Sequence, residues 1–141
     1  MTNRTFSPTL LAAFAVAGTL ASSGAFAADV QVKLSGQEET PPVTTTATGT
    51  ATLSVAADKK VTGNVKTVGV DGTAAHIHSG GPGEKGPPVI TLVKGENGTW
   101  TVPGDAALTD EQYTAYKAGK LYINIHSAAN KGGEIRGQIK P

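Results

Sequence analysis

Histidine occurs three times in this chain, and each copy falls at the end of an alternating apolar stretch. His76 and His78 belong to Ala74-Ala75-His76-Ile77-His78, which runs straight into a glycine-proline loop from Ser79 to Pro88, while His126 closes Tyr122-Ile123-Asn124-Ile125-His126. Successive side chains of an extended chain alternate between faces, so His76 and His78 leave one face roughly 7 Å apart, a gap that two imidazoles can close around one ion. Ile77 then points to the core. In the later stretch Leu121, Ile123 and Ile125 face the core, and Tyr122, Asn124 and His126 face out. A His-x-His pair joined by a third histidine from a neighbouring strand gives three imidazole ligands with an open position, a set that suits copper in either oxidation state, or zinc. Exposed histidines at strand ends often do nothing. Here all three sit beside glycine-rich loops, where function tends to collect, and this favours the metal site.

Glu134, Arg136 and Gln138 alternate onto one face near the end of the chain. A simple hairpin register sets Glu134 across from His126, where a carboxylate could orient the imidazole from behind. An ordinary exposed Glu/Arg ladder accounts for Glu134 equally well, and for Arg136 it is the preferred account. Other chemistries find less support. Ser79 and Ser127 each follow a histidine, but no Gly-x-Ser-x-Gly elbow exists and no acid partner is evident. The loop Gly80-Gly81-Pro82-Gly83-Glu84-Lys85-Gly86 lacks the Gly-Lys-Ser/Thr ending and the following helix of a phosphate cradle. It reads as a tight loop whose glycines permit positive φ and whose prolines stiffen it.

The elements that must position the histidines are strands. Val30, Val32 and Leu34 alternate with polar residues, and from Ala47 to Val55 small and apolar residues alternate with threonines and serine. Threonine suits the exposed side of a pleated surface. Asp58-Lys59-Lys60 supplies a turn into Val61 to Val68, and Gly69 to Gly72 a turn into the strand of His76. After the glycine-proline loop, Val89 to Val93 is a short strand, and Asn97-Gly98 is the strongest hairpin signal, with Trp100 and Val102 on one face of the return strand. Asn97-Gly98-Thr99 also fits a glycosylation sequon, but the hairpin is explanation enough. Thr109-Asp110-Glu111-Gln112 has the form of a capping box, with Gly119 as the stop and Tyr113 and Tyr116 on the inner side. Two strands, Leu121 to His126 and Glu134 to Ile139, close the chain around Gly132-Gly133. The expectation is an all-β, antiparallel Greek-key sandwich or flattened barrel of about eight strands, with one short helical insertion near 109–118.

Residues 1–27 read as an export signal: Arg4, an apolar run from Leu10 to Ala21, and a small-x-small site at Ala25-Phe26-Ala27. Residues 28–141 then form one domain, in the periplasm or secreted. The apolar run is too short to span a bilayer, and nothing later approaches that length. Of the 12 basic residues only Arg4 lies in the signal, so the remainder balance the 11 acidic ones. A neutral domain without basic runs argues against nucleic acid as a partner. With no cysteine, and Met1 as the one methionine, thiolate and thioether ligation are excluded, and the core alone must hold the fold. A homodimer or another protein partner remains open.

Several ordered stretches resemble one family. They are Val32-Lys33-Leu34-Ser35-Gly36-Gln37-Glu38-Glu39-Thr40-Pro41-Pro42-Val43, Gly49-Thr50-Ala51, Ala74 to His78 with Gly81-Pro82-Gly83, and Leu121 to His126 with Gly132 to Gln138. The chain resembles the CHRD domain, the module named after chordin and also found alone in exported bacterial proteins, over about residues 30 to 140. More distantly, His76-Ile77-His78 and the later Ile125-His126 before a glycine-rich turn are similar to the copper ligands of copper/zinc superoxide dismutases, whose fold is an eight-stranded Greek-key barrel. That likeness implies His76, His78 and His126 as copper ligands. The chain departs from it in having no fourth histidine for the bridging position, no zinc cluster and no cysteine pair. What is expected is an exported protein that binds a copper ion, with zinc as the alternative metal, for periplasmic copper handling; a superoxide-reactive copper enzyme and a metal-free extracellular interaction module are the rivals.

Overall fold

A computed structural model describes residues 1–2 and 27–141. The expected export signal falls mainly on residues 3–26 and lies outside the described residues. From Val30 onward the chain forms β1 (Val30–Ser35), β2 (Thr48–Val55), β3 (Val61–Val68), β4 (Gly72–Ser79), β5 (Pro88–Thr91), β6 (Val93–Lys94), β7 (Thr99–Thr101), the helix α1 (Asp110–Lys117), β8 (Leu121–Ser127) and β9 (Ile135–Ile139). All pairings are antiparallel, in the order β5-β4-β8-β9-β1-β2-β3-β7-β6.

The expected single strand from Val89 to Val93 appears as two, because this segment serves both ends of the sheet. Its first half pairs with β4 as β5, and its second half pairs with β7 as β6. Between them Leu92 is buried and its N–H donates to the Ala75 carbonyl of β4 at 2.9 Å. Lys94 Nζ donates to the Gly72 carbonyl at 2.6 Å, drawing β6 back toward β4. The nine strands thus make a nearly closed, barrel-like sheet.

Alternation drives the closure. In β1 the burial pattern is strictly in–out, and in β2 Gly49, Ala51, Leu53 and Val55 all point inward. The core gathers these with Val65, Ile77, Trp100, Ile123, Ile125 and Ile135 from other strands. Turn chemistry fixes the registers: Asn97 and Gly98 take φ of 52° and 73°, the left-handed pair that a two-residue hairpin turn requires. Lys59 at φ 71° turns the β2–β3 hairpin. The helix begins where expected. Thr109 Oγ1 accepts from Gln112 N–H while Gln112 Oε1 accepts from Thr109 N–H, a complete capping box. Its Tyr116 is buried against the core, with Tyr113 stacked beside it, so the helix covers one end of the barrel. No helix among the described residues is long and apolar enough to cross a membrane.

Ile123 is fully enclosed, at 0% exposure, midway along the strand that carries His126. Ile123→Ala should destabilise the fold by about 2–5 kcal/mol, through lost apolar burial and the cavity left behind. Urea unfolding followed by Trp100 fluorescence would read this as a lower midpoint with an unchanged slope.

Candidate metal centre

β4 and β8 are direct neighbours, and their register sets His76 opposite Asn124, His78 opposite Tyr122 and Ala74 opposite His126. The three histidines therefore leave adjacent strands on the same face. Their ring centroids lie 5.4 Å (His76–His78), 5.0 Å (His76–His126) and 6.0 Å (His78–His126) apart. One ring nitrogen from each falls within 4.8 Å of the others, a group that could hold a metal ion.

Backbone carbonyls settle which nitrogens are free. His78 Nδ1 meets the Gly86 carbonyl at 2.8 Å and His126 Nδ1 meets the Lys131 carbonyl at 2.8 Å. A carbonyl only accepts, so both Nδ1 atoms carry the proton and both Nε2 atoms present lone pairs. His76 Nδ1 lies 3.0 Å from His126 Nε2, so His76 must donate there. Burial lowers the pKa of His76, helped by the His126 and His78 imidazoles beside it. Burial likewise lowers that of His78, and its bond to Gly86 opposes the shift. Both effects favour the neutral imidazole that a metal requires.

The face expected to be open is covered. Tyr122 and Asn124 are buried, at 3% and 2% exposure, and so is Arg136 at 2%. The expectation of Tyr122 and Asn124 facing solvent, and of Arg136 in an exposed ladder, is corrected here. The glycine-proline loop folds back over β8 and β9. Arg136 donates to the carbonyls of Glu84 (2.7 Å) and Gly81 (2.8 Å), and Gln138 donates to that of Gly80 (2.9 Å). Arg136 also lies 3.4 Å over the Tyr122 ring, while His78 stacks on Tyr122 at 5.0 Å with the planes 6° apart. β4 and β9 flank β8, so Tyr122 is held between imidazole and guanidinium. Gly86 must be glycine, because a Cβ there would come 1.6 Å from the Ser79 carbonyl oxygen. This close approach is what brings the Gly86 carbonyl to His78 and its N–H to the Tyr122 hydroxyl, 3.2 Å away.

Glu134 directly precedes β9, but its N–H donates to the carbonyl of Ile125, which already pairs with Ile135, so it is offset by one residue from the place expected opposite His126. Its carboxylate, however, accepts from Thr45 Oγ1 at 2.8 Å. Hydrogen bonding from Ser127 first, then from Thr45 and Asn130, holds its pKa below the usual carboxylate range. The atom behind His126 is the Lys131 carbonyl instead.

A residue that sequence reasoning passed over is Glu39. It lies just after the short 3-10 turn Gly36–Glu38, in a polar, proline-containing stretch that reads as exposed loop, yet only 7% of it is exposed. Burial pushes its carboxyl pKa up, against the pull of the Arg136 guanidinium and the Thr40 N–H. The signal was its place inside Gly36 to Pro42, a stretch already notable for its resemblance.

Comparison with known families matches residues 30–139 to the CHRD domain, and the chain belongs to that family. No curated protein and no solved structure matches it. The likeness to superoxide dismutases accordingly stands on the histidine pattern alone.

Two outcomes test this geometry. Lysine cannot span the two loop carbonyls and stack on Tyr122 as the planar guanidinium does. Arg136→Lys should cost about 1–3 kcal/mol and speed amide exchange at Gly86, read by hydrogen-exchange NMR. The lowered His76 and His78 values mean that the unfolded chain binds more protons than the folded one. The stabilisation is therefore complete above pH of about 6.5 and is lost as pH falls from there through the depressed folded values. In chelator-treated protein the urea midpoint should drop over that window, with a shallower drop in a His76→Gln/His78→Gln variant.

Proposed function

We propose that this CHRD-domain protein is exported and binds one copper ion through His76, His78 and His126, serving metal handling outside the cytoplasm. The observation that carries this reading is the His76 Nδ1–His126 Nε2 separation of 3.0 Å. Two nitrogens bound to one ion at about 2.0 Å stand about 2.9–3.3 Å apart for angles between square-planar and tetrahedral. One proton now joins two atoms that already have the spacing of ligands. The third nitrogen supports the same reading, since His78 Nε2 is buried without a hydrogen-bond partner among the described residues. A buried acceptor left unpaired costs about 1–3 kcal/mol, and a cation would satisfy it.

Three imidazoles suit copper or zinc, and the absence of cysteine from the whole chain removes the thiolates that many structural zinc sites use. The histidines would hold the ion; an ion so held is a Lewis acid and, if copper, a one-electron centre. Holding the ion, rather than turning over a substrate, is the role supported here.

Titration with Cu²⁺, and with Cu⁺ under reducing conditions, should show a single ion per chain. Each of His76→Ala, His78→Ala and His126→Ala should weaken binding at least tenfold. Free ion at a hundred times its Kd should stabilise the fold by about 2.7 kcal/mol. Unaltered stoichiometry and affinity in all three variants would sink the proposal. A melting temperature indifferent to copper would move the assignment to a metal-free extracellular interaction module.

A further inference from the structure

Three buried polar side-chain atoms have no hydrogen-bond partner among the described residues: Glu39 Oε1, Asn124 Oδ1 and His78 Nε2. All three are acceptors, because His78 carries its proton on Nδ1. They also belong to one region. Asn124 stands in the middle of the histidine face, opposite His76 on one neighbouring strand and opposite Arg136 on the other, and two residues before His126. Glu39 reaches Asn124 at Gly133: a Cβ built on that glycine would lie 2.4 Å from Glu39 Oε1 and 2.6 Å from Asn124 Nδ2. Gly133, at φ 128°, leaves the notch in which carboxylate and amide meet. The amide nitrogen is thus turned toward Glu39 and toward the Gly132 carbonyl, 3.4 Å away. Its oxygen is the other end of this amide, buried without a partner, and the Asn124 side chain lies close enough to His78 to act on its imidazole.

Two buried lone pairs close together repel each other unless something positive lies between them. We propose that Asn124 is a fourth donor of the histidine site, with Oδ1 directed at the ion, and that Glu39 is the positioning residue that holds the amide in this orientation. The inference rests on the three-histidine reading and deepens it. It makes the site a set of three nitrogens and one oxygen. Such a set fits a divalent cation, Cu²⁺ or Zn²⁺, better than the softer Cu⁺, which gains little from an amide oxygen. Glu39 adds a negative charge behind the amide, where low dielectric makes it count. It also gives the Gly36–Pro42 stretch a role at the site.

The test uses the mature protein with Cu²⁺ alone and Cu⁺ alone as probes, in wild type, Asn124→Leu, Glu39→Gln and His76→Ala. Asn124→Leu keeps the volume and removes the oxygen. It should weaken Cu²⁺ about 10–100-fold, weaken Cu⁺ much less, and shift the g and copper hyperfine values of the Cu²⁺ electron paramagnetic resonance spectrum. Glu39→Gln keeps the shape and removes the charge, and should move both readouts in the same direction by a smaller amount. Circular dichroism of the ion-free variants reports folding; if Asn124→Leu does not fold, Glu39→Gln decides on the same two readouts. Wild-type Cu²⁺ affinity and an unchanged spectrum in the folded variants overturn the inference. If His76→Ala loses the ion while Asn124→Leu holds it as wild type does, only the fourth donor fails. If wild type shows no histidine-dependent binding, the three-histidine reading falls and this inference with it.

Discussion

The covered face of the barrel depends on one buried guanidinium. Arg136 has its donors on the Glu84 and Gly81 carbonyls and on Gln138, and its plane over Tyr122. A charge so far from water is tolerated because hydrogen bonds and an aromatic face replace its hydration. In doing so it draws a glycine-proline loop across β8 and β9, and the setting of His78 follows from that. The loop delivers the Gly86 carbonyl that fixes the tautomer of His78, and it buries the ring on which His78 stacks. Without the loop the His78 imidazole would lose the carbonyl that fixes its ring.

Charge balance around this region is local. Glu39 is the buried carboxyl whose field Arg136 meets, while Glu134, at the mouth of the site, is occupied by hydroxyl and amide donors. The two carboxylates therefore divide the work: one lies in the interior behind Asn124, the other at the loop that follows His126.

The succession of strands along the chain, the hairpin at Asn97-Gly98, the capping box at Thr109 and the convergence of the three histidines were all legible in the sequence. Period-two alternation and turn chemistry are local, and they state which face each side chain leaves from. What they do not state is whether that face is later covered. Tyr122, Asn124 and Arg136 alternate as outward residues and do point outward from the core, but a loop from another part of the chain lies on top of them. Glu39 was hidden for the same reason, since a glutamate between glycine and proline reads as solvated until its partners are brought over it. The division of Val89 to Val93 into two strands is likewise a matter of closure, visible only when both ends of the sheet are in view.

That division bears on how the molecule meets its neighbours. The sheet ends in β5 and β6, only 4 and 2 residues long, both drawn from one continuous segment that already pairs across the seam. A chain without cysteine has no disulfide to stop it joining other copies strand to strand, and open edges are where such joining starts. Here almost no free edge is offered. Among the described residues the short ends of the sheet thus disfavour main-chain augmentation.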